Sequence, residues 1–332
     1  MSRIALLVAS ILVGLLILEL GCRLHRGPQW LVDWKNLVAE EHGFETTATE
    51  ELAVRDPLLG TQPLPKVDRF MMPGADGPPL LATGDSYTFG EDVDRNDSWP
   101  AILQGLLHRQ VLNGGVSGYG FDQTALRTEI LVKTHRPTAL IVSFIADDRW
   151  RLDMRRVWGR DKPYFTLAAD GTLVLHPPVF HESRLSFWQH AFGWSTLVQT
   201  VVGRLMWHDE WDSDHARAGE AGQGERVVCP LMTRLAEIGL PTLVVAQYEP
   251  TEWLRKDAVA YNANQLRLTR LALDCAQKAG LPAFDTHDAV DDAVRREGLT
   301  AIYGARHHAA GGNRAVAEAI AQELKRRGML NN

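Results

Sequence analysis

Cysteine is nearly missing: Cys22, Cys229 and Cys275 are the whole complement of 332 residues. A disulfide scaffold needs more, and no CxxC or Cys/His spacing suggests a zinc site. Cys229 and Cys275 fall on predicted helices and read as two buried thiols, with pairing open in an oxidising compartment. Blocks of Lys or Arg are also missing. With 35 basic against 41 acidic residues and a net charge of −6, nothing is suited to a phosphate backbone, so nucleic acid is not an expected partner. Neither low-complexity tracts nor internal repeats occur. The glycines from Gly114 to Gly120 lack Gly-x-Gly-x-x-Gly spacing, which excludes a dinucleotide site. His176, His181, His190, His208 and His215 show no i, i+4 pairing with a downstream acid, so no metal and no cofactor are expected.

The single long apolar run lies at the N-terminus, where Ile4 to Leu18 is interrupted only by Ser10 and follows Arg3. With Glu19 to Cys22 it approaches the roughly 20 residues a spanning helix needs, and Trp30 and Trp34 can serve as interfacial anchors. An uncleaved anchor, a cleaved export signal and a lipid-modified Cys22 after Leu-Gly all stay open. An amphipathic helix fits poorly because the run is apolar on every face. Each of the three favoured readings puts the body outside the cytoplasm. Residues 1–30 are thus expected as anchor or signal, 31–75 as a linking segment and 76–332 as the main domain.

From residue 80 onward, β-rich runs alternate with helical periodicity, the pattern of a doubly wound parallel α/β sheet. The strands expected are Leu80–Thr83, Gln110–Asn113, Ala139–Phe144, Thr242–Gln247 and Pro282–Asp285. Between them stand helices over Trp99–Leu107, Gln123–Thr134, Val227–Ile238 and Asp257–Lys278, with Gly311–Arg327 closing the chain. An insertion over 150–225 breaks the rhythm, and a connection that long carries function or its own structure. It holds a hairpin signal at Asp170-Gly171 and a helical pattern over Phe192–Trp207. Its tryptophans, Trp150, Trp158, Trp188, Trp194, Trp207 and Trp211, suit the packing of a small subdomain, a carbohydrate or acyl site, or a membrane-facing surface. Arg149, Arg151, Arg155 and Arg156 follow the third strand and read either as a solvated basic edge or as a clamp for an anionic glycan.

The strongest local signal is Gly84-Asp85-Ser86 at the end of a buried strand, where an open α/β sheet places its ligands. Thr88 stands where a Gly-x-Ser-x-Gly elbow has its last glycine, so the α/β-hydrolase pattern does not apply. Taken alone, Ser86 reads more readily as a helix cap than as a nucleophile.

The order of later motifs resembles the SGNH (GDSL-type) hydrolase superfamily, over essentially the whole chain from residue 80. After Gly84-Asp85-Ser86 come Asn113-Gly114-Gly115, then Ile145-Ala146-Asp147-Asp148, then His307-His308-Ala309-Ala310-Gly311-Gly312-Asn313. Leu18-Glu19-Leu20-Gly21-Cys22-Arg23-Leu24 and Lys162-Pro163-Tyr164-Phe165 also look like membrane-anchored bacterial members. The resemblance implies a three-layer, flavodoxin-like sheet, Ser86 as nucleophile and His307 rather than His308 as general base. It also implies an oxyanion hole from the amides of Ser86 and Gly115. Two positions depart from the family. Asp147 replaces the asparagine that donates to the oxyanion, and an ionised carboxylate cannot donate. Gly304 replaces the acid expected three residues before His307, leaving orientation of the imidazole to a carbonyl or another acid, with Asp285 the candidate and Asp288 beside it. The resulting expectation is a membrane-tethered serine esterase acting on an O-acyl ester, with an envelope carbohydrate as substrate. O-acyl transfer to a glycan, or a catalytically impaired domain that binds glycan or protein, are the alternatives.

Overall fold

A computed structural model describes residues 2–39, 53–64, 69–71, 73–75, 77–181, 185–205, 211 and 213–330. The chain divides into two compact units. One comprises residues 54–155, 162–178 and 218–332, and the other residues 1–53, 156–161 and 179–217. The insertion over 150–225 is therefore shared between units. Trp207 and His208, at the end of the expected helix over 192–207, lie outside the described residues.

The larger unit is built on five parallel strands: β1 (Leu80–Thr83), β2 (Val111–Asn113), β3 (Ala139–Phe144), β4 (Thr242–Ala246) and β5 (Ala283–Asp285). Their spatial order is β2-β1-β3-β4-β5, the doubly wound order expected. Leu80 is paired with both Val111 and Ala139, which puts β1 between β2 and β3. Every residue of β1, β2, β3 and β4 is buried, as parallel strands covered on both faces must be. Alternation then sorts their side chains into two cores. Leu81, Leu140, Val142 and Val244 meet helices Phe121–His135, Gln223–Ala236 and Val259–Lys278. Leu80, Ala82, Ile141 and Val245 meet helices Trp99–Leu107, His287–Glu297 and Ala310–Arg326. Burying each such Leu, Ile or Val contributes about 1.5–3 kcal/mol. The chain order reverses between β1 and β3, so the loops that leave their carboxyl ends splay apart and open a crevice there.

Cys229 and Cys275 are not two thiols. They form a disulfide that joins helices Gln223–Ala236 and Val259–Lys278, with Cα atoms 4.6 Å apart. Spacing alone could not show this, because the packing of the two helices side by side is what brings the residues opposite each other. The insertion contributes a hairpin to this unit, Tyr164–Leu167 against Leu173–His176, closed at Gly171 with φ +84°. Lys162, which precedes it, is buried with its ammonium on Asp122 and on the carbonyls of Arg151 (3.2 Å), Met154 (3.3 Å) and Pro163 (2.8 Å).

In the smaller unit, the helix Arg3–Arg26 contains a window of mean hydropathy 2.6, long and apolar enough to cross a membrane. The expected helix from Phe192 is instead two, Phe187–Phe192 and Thr196–Arg204, separated at Gly193.

Replacing both Cys229 and Cys275 by Ala should lower stability by about 2–4 kcal/mol. Urea unfolding under non-reducing conditions should show a lower midpoint, and an unchanged midpoint would mean that the bridge does not constrain the chain.

Candidate active site

The end of β1 is a sharp turn built for close approach. Gly84 lies so near helix Ser86–Phe89 that a Cβ would sit 2.2 Å from Thr88 Oγ1, and one on Gly115 would fall 2.3 Å from the Phe89 nitrogen. Both positions therefore require glycine on steric grounds. Asp85 caps the short helix by accepting from the Tyr87 amide at 3.0 Å. It is fully buried, and burial pushes its carboxyl above the ordinary carboxylate range against the opposing pull of Arg151, 3.6 Å away. Arg151 is held in turn by Asp148 Oδ1 (2.7 Å) and the Tyr119 carbonyl (2.8 Å). Burial, reinforced by the Asp85 charge, raises the Asp148 carboxyl well above its usual value.

His307 reaches Ser86 from the opposite end of the chain. Its Nε2 accepts from Ser86 Oγ at 3.0 Å, while Nδ1 donates to Asp92 Oδ2 at 3.1 Å. The histidine loop is fixed at several points. The Gly304 amide donates to the His307 carbonyl (2.8 Å), Tyr87 Oη donates to the Arg306 carbonyl (2.8 Å), and the buried Asn313 amide donates to the His308 carbonyl (3.0 Å). Gly312 permits this packing, since a Cβ there would lie 2.2 Å from the Ile302 carbonyl. His308 faces inward against Tyr87 and Tyr303. Burial, with His307 beside it, pushes its imidazole down to about 3, so it stays neutral and is no rival base.

The carboxylate hydrogen-bonded to His307 is Asp92, where the sequence pointed to Asp285. Asp285 lies at the end of β5, and its Oδ1 accepts from the His287 amide at 2.9 Å, capping the next helix. Asp288 points to solvent. Asp92 sits in the loop that leaves helix Ser86–Phe89, where Gly90 (φ +82°) and Asp92 itself (φ +67°) both adopt left-handed backbone. Aspartate tolerates that region better than most residues. Arg69 braces the turn by donating to the Gly90 carbonyl (2.6 Å) and lying over the Phe89 ring (4.7 Å). The available signal was the acidic run Glu91-Asp92-Val93-Asp94 directly after the serine, which looks like a solvated loop until the fold is known.

The oxyanion hole differs from the expectation. No hydrogen bond engages the Ser86 amide among the described residues, so it is available to a substrate oxygen. The Gly115 amide is committed to Asn113 Oδ1 at 3.0 Å and becomes a second donor only by exchanging that partner. Asp147 accepts from Gln265 Nε2 at 2.7 Å, and its charge acts on Glu249. Burial, reinforced by Asp147, raises the Glu249 carboxyl to about 7. Glu249 and Gln265 line a narrow cleft of about 20 Å³ together with Ala146, Gln247, Tyr261 and Asn262. The arginines that follow β3 are mostly spent internally. Arg149 pairs with Asp153 and Glu225, both at 3.2 Å, and Arg156 pairs with Asp161 and Asp214, while Arg155 is exposed. Among the described residues no cluster of His, Cys, Asp and Glu is arranged to hold a metal.

Asp92→Asn should lower turnover of an ester by about 10²-fold, less than the ~10⁴ lost when a buried orienting acid is replaced, because Asp92 is half exposed. Steady-state kinetics reads this, and unchanged turnover would remove Asp92 from the triad. Glu249 supplies a pH signature. With its folded value raised, the folded state binds the extra proton, so its contribution to stability declines as pH rises from about 4.5 through about 7. Glu249→Gln should abolish that decline and gain at most about 3 kcal/mol at pH 8 relative to pH 5, measured by urea unfolding at both values.

No family model matches the chain, and no curated protein does. Among solved structures it is similar to LAE5, an alpha/beta hydrolase from the metagenome of Lake Arreo, at 17% identity and TM-score 0.46 over 78% of this chain and 98% of that one. It is also similar to an acetylxylan esterase, Axe2, from Geobacillus stearothermophilus (14%, TM-score 0.45, 76% and 96% covered). A third is a putative lipolytic protein of the G-D-S-L family from Desulfitobacterium hafniense (12%, TM-score 0.41, 74% and 99% covered). The serine after β1 and the histidine before the last helix stand where the motifs of the sequence place them.

Proposed function

We propose that this chain is a membrane-anchored, extracytoplasmic serine esterase that hydrolyses an O-acyl ester on an envelope carbohydrate. The observation that carries the chemistry is the continuous line from Ser86 through His307 to Asp92. His307 Nε2 takes the hydroxyl proton as Ser86 Oγ attacks the ester carbonyl, and Asp92 holds the ring in the tautomer that leaves Nε2 free to accept. The tetrahedral oxyanion forms against the Ser86 amide. On its collapse the ester C–O bond breaks, His307 returns the proton to the departing alcohol, and water releases the acyl group by the same steps.

The cleft beside Ala146 is lined by Gln247, Tyr261, Asn262 and Gln265, hydrogen-bonding side chains that suit a hydroxylated alcohol portion. The disulfide supports an oxidising compartment, and the helix Arg3–Arg26 supports a tether. One observation favours the second reading. With Gly115 committed to Asn113 and a carboxylate at 147, a single amide stands ready for the oxyanion, and each missing donor typically costs about 10²–10³ in rate. That is the pattern of a slow enzyme, of an acyl-enzyme that waits for a sugar hydroxyl as acceptor, or of a binding domain.

The test is hydrolysis of a short activated acyl ester and of an acetylated oligosaccharide by the full chain in detergent, alongside Ser86→Ala and His307→Ala. Turnover lost by at least about 10³-fold in both variants is expected. Turnover equal in all three proteins would rule out the serine mechanism, and serine-dependent acylation without water release would turn the assignment to transfer.

A further inference from the structure

The smaller unit carries a second feature, independent of the ester chemistry. The apolar stretch of helix Arg3–Arg26 is exposed along its length, yet Glu19 and Arg23, at its end, are 5% and 0% exposed. Glu19 accepts from Ser195 Oγ (2.7 Å) and from the amides of Thr196 (3.0 Å) and Leu197 (2.9 Å), capping helix Thr196–Arg204. Arg23 donates to Glu19 and to the carbonyls of Trp30 (2.7 Å) and Trp194 (2.6 Å), and lies 3.8 Å from the Trp34 ring centroid. One turn further, Arg26 donates to Gln199 Oε1 at 3.1 Å. Residues 194–199 are therefore fixed at the level of residues 19–26, directly beyond the apolar run. At 1.5 Å per residue this level is about 10 Å deep, comparable to the headgroup layer of a bilayer.

The same stretch displays large exposed apolar side chains that no described residue of the unit covers. Phe187 is 74% exposed, Trp188 61%, Leu205 57% and Val201 47%. Phe187, Trp188 and Phe192 form a contiguous aromatic group, with ring centroids 5.2 and 5.9 Å apart. Aromatic rings at the end of a spanning helix favour the membrane–water interface. We propose that residues 186–205 are an interfacial foot whose partner is the lipid surface, with Phe187, Trp188, Val201 and Leu205 inserted among the headgroups beside the anchor. The proposal rests on the reading of Arg3–Arg26 as a retained anchor, and it makes Glu19 and Arg23 the pins that hold foot and anchor together.

The experiment uses the full chain in phosphatidylcholine–phosphatidylglycerol vesicles. Single cysteines in a Cys22→Ser background carry a nitroxide at Ile11, Trp188, Leu205 or, as a solvent reference, the fully exposed Asp288. All four sites are exposed, so the labels leave the fold intact. The ratio of oxygen to nickel-chelate collision rates should shift toward the lipid value at 11, 188 and 205 and stay at the aqueous value at 288. Aqueous values at 188 and 205 with a lipid value at 11 would overturn the foot and leave the anchor standing. An aqueous value at 11, or loss of that label by processing, would overturn the anchor and the foot with it.

Discussion

The site depends on one strand being buried on both faces. Leu80 to Thr83 fills two cores at once, so the chain can become polar only where β1 ends, and it does so abruptly at Gly84-Asp85-Ser86. The serine's placement is thus a by-product of apolar burial. A carboxylate at the foot of that turn is fully buried, which is expensive unless it is paired. Arg151 answers it from the short helix Asp147–Arg151 in the connection after β3, and its own place is set by Asp148 and the Tyr119 carbonyl. The two loops that flank the crevice are thereby fastened to each other through charge in a low-dielectric setting, which is where such fastening is strongest.

What the sequence made legible follows from periodicity. Five strands, four of them fully buried, and five helices were readable because their residues alternate or recur as packing demands, and their limits fall within a few residues of those observed. Ser86 and His307 were readable from motif order, because each sits at an element boundary that local patterning can locate. Asp92 was not. Its role depends on two left-handed residues that turn a solvated acidic loop back toward a histidine more than two hundred residues away, and nothing in the pattern of Glu91-Asp92-Val93-Asp94 encodes that direction. The Cys229–Cys275 bridge escaped for a related reason: partnership between two helices is a property of their packing, which composition does not carry. The commitment of Gly115 to Asn113 is subtler still, since the motif placed the glycine correctly while its amide had already found an acceptor.

Gly304 illustrates how a departure from a pattern can be absorbed. A Cβ there would meet only the His307 carbonyl, 3.7 Å away, so the position is not reserved for glycine by lack of room. Its amide closes the turn that presents His307, and the carboxylate beside the imidazole comes from Asp92 on another loop. The geometry of three such groups does not dictate which loop supplies each of them.

This placement sets the mechanics of the site. Ser86 and Asp92 ride six residues apart on a single braced turn, while His307 arrives alone from the far end of the chain, clasped between them like a key between two wards of one lock. A shift of the His307 loop would sever both of its contacts at the same moment, so the imidazole cannot move away with Asp92 while leaving Ser86 behind.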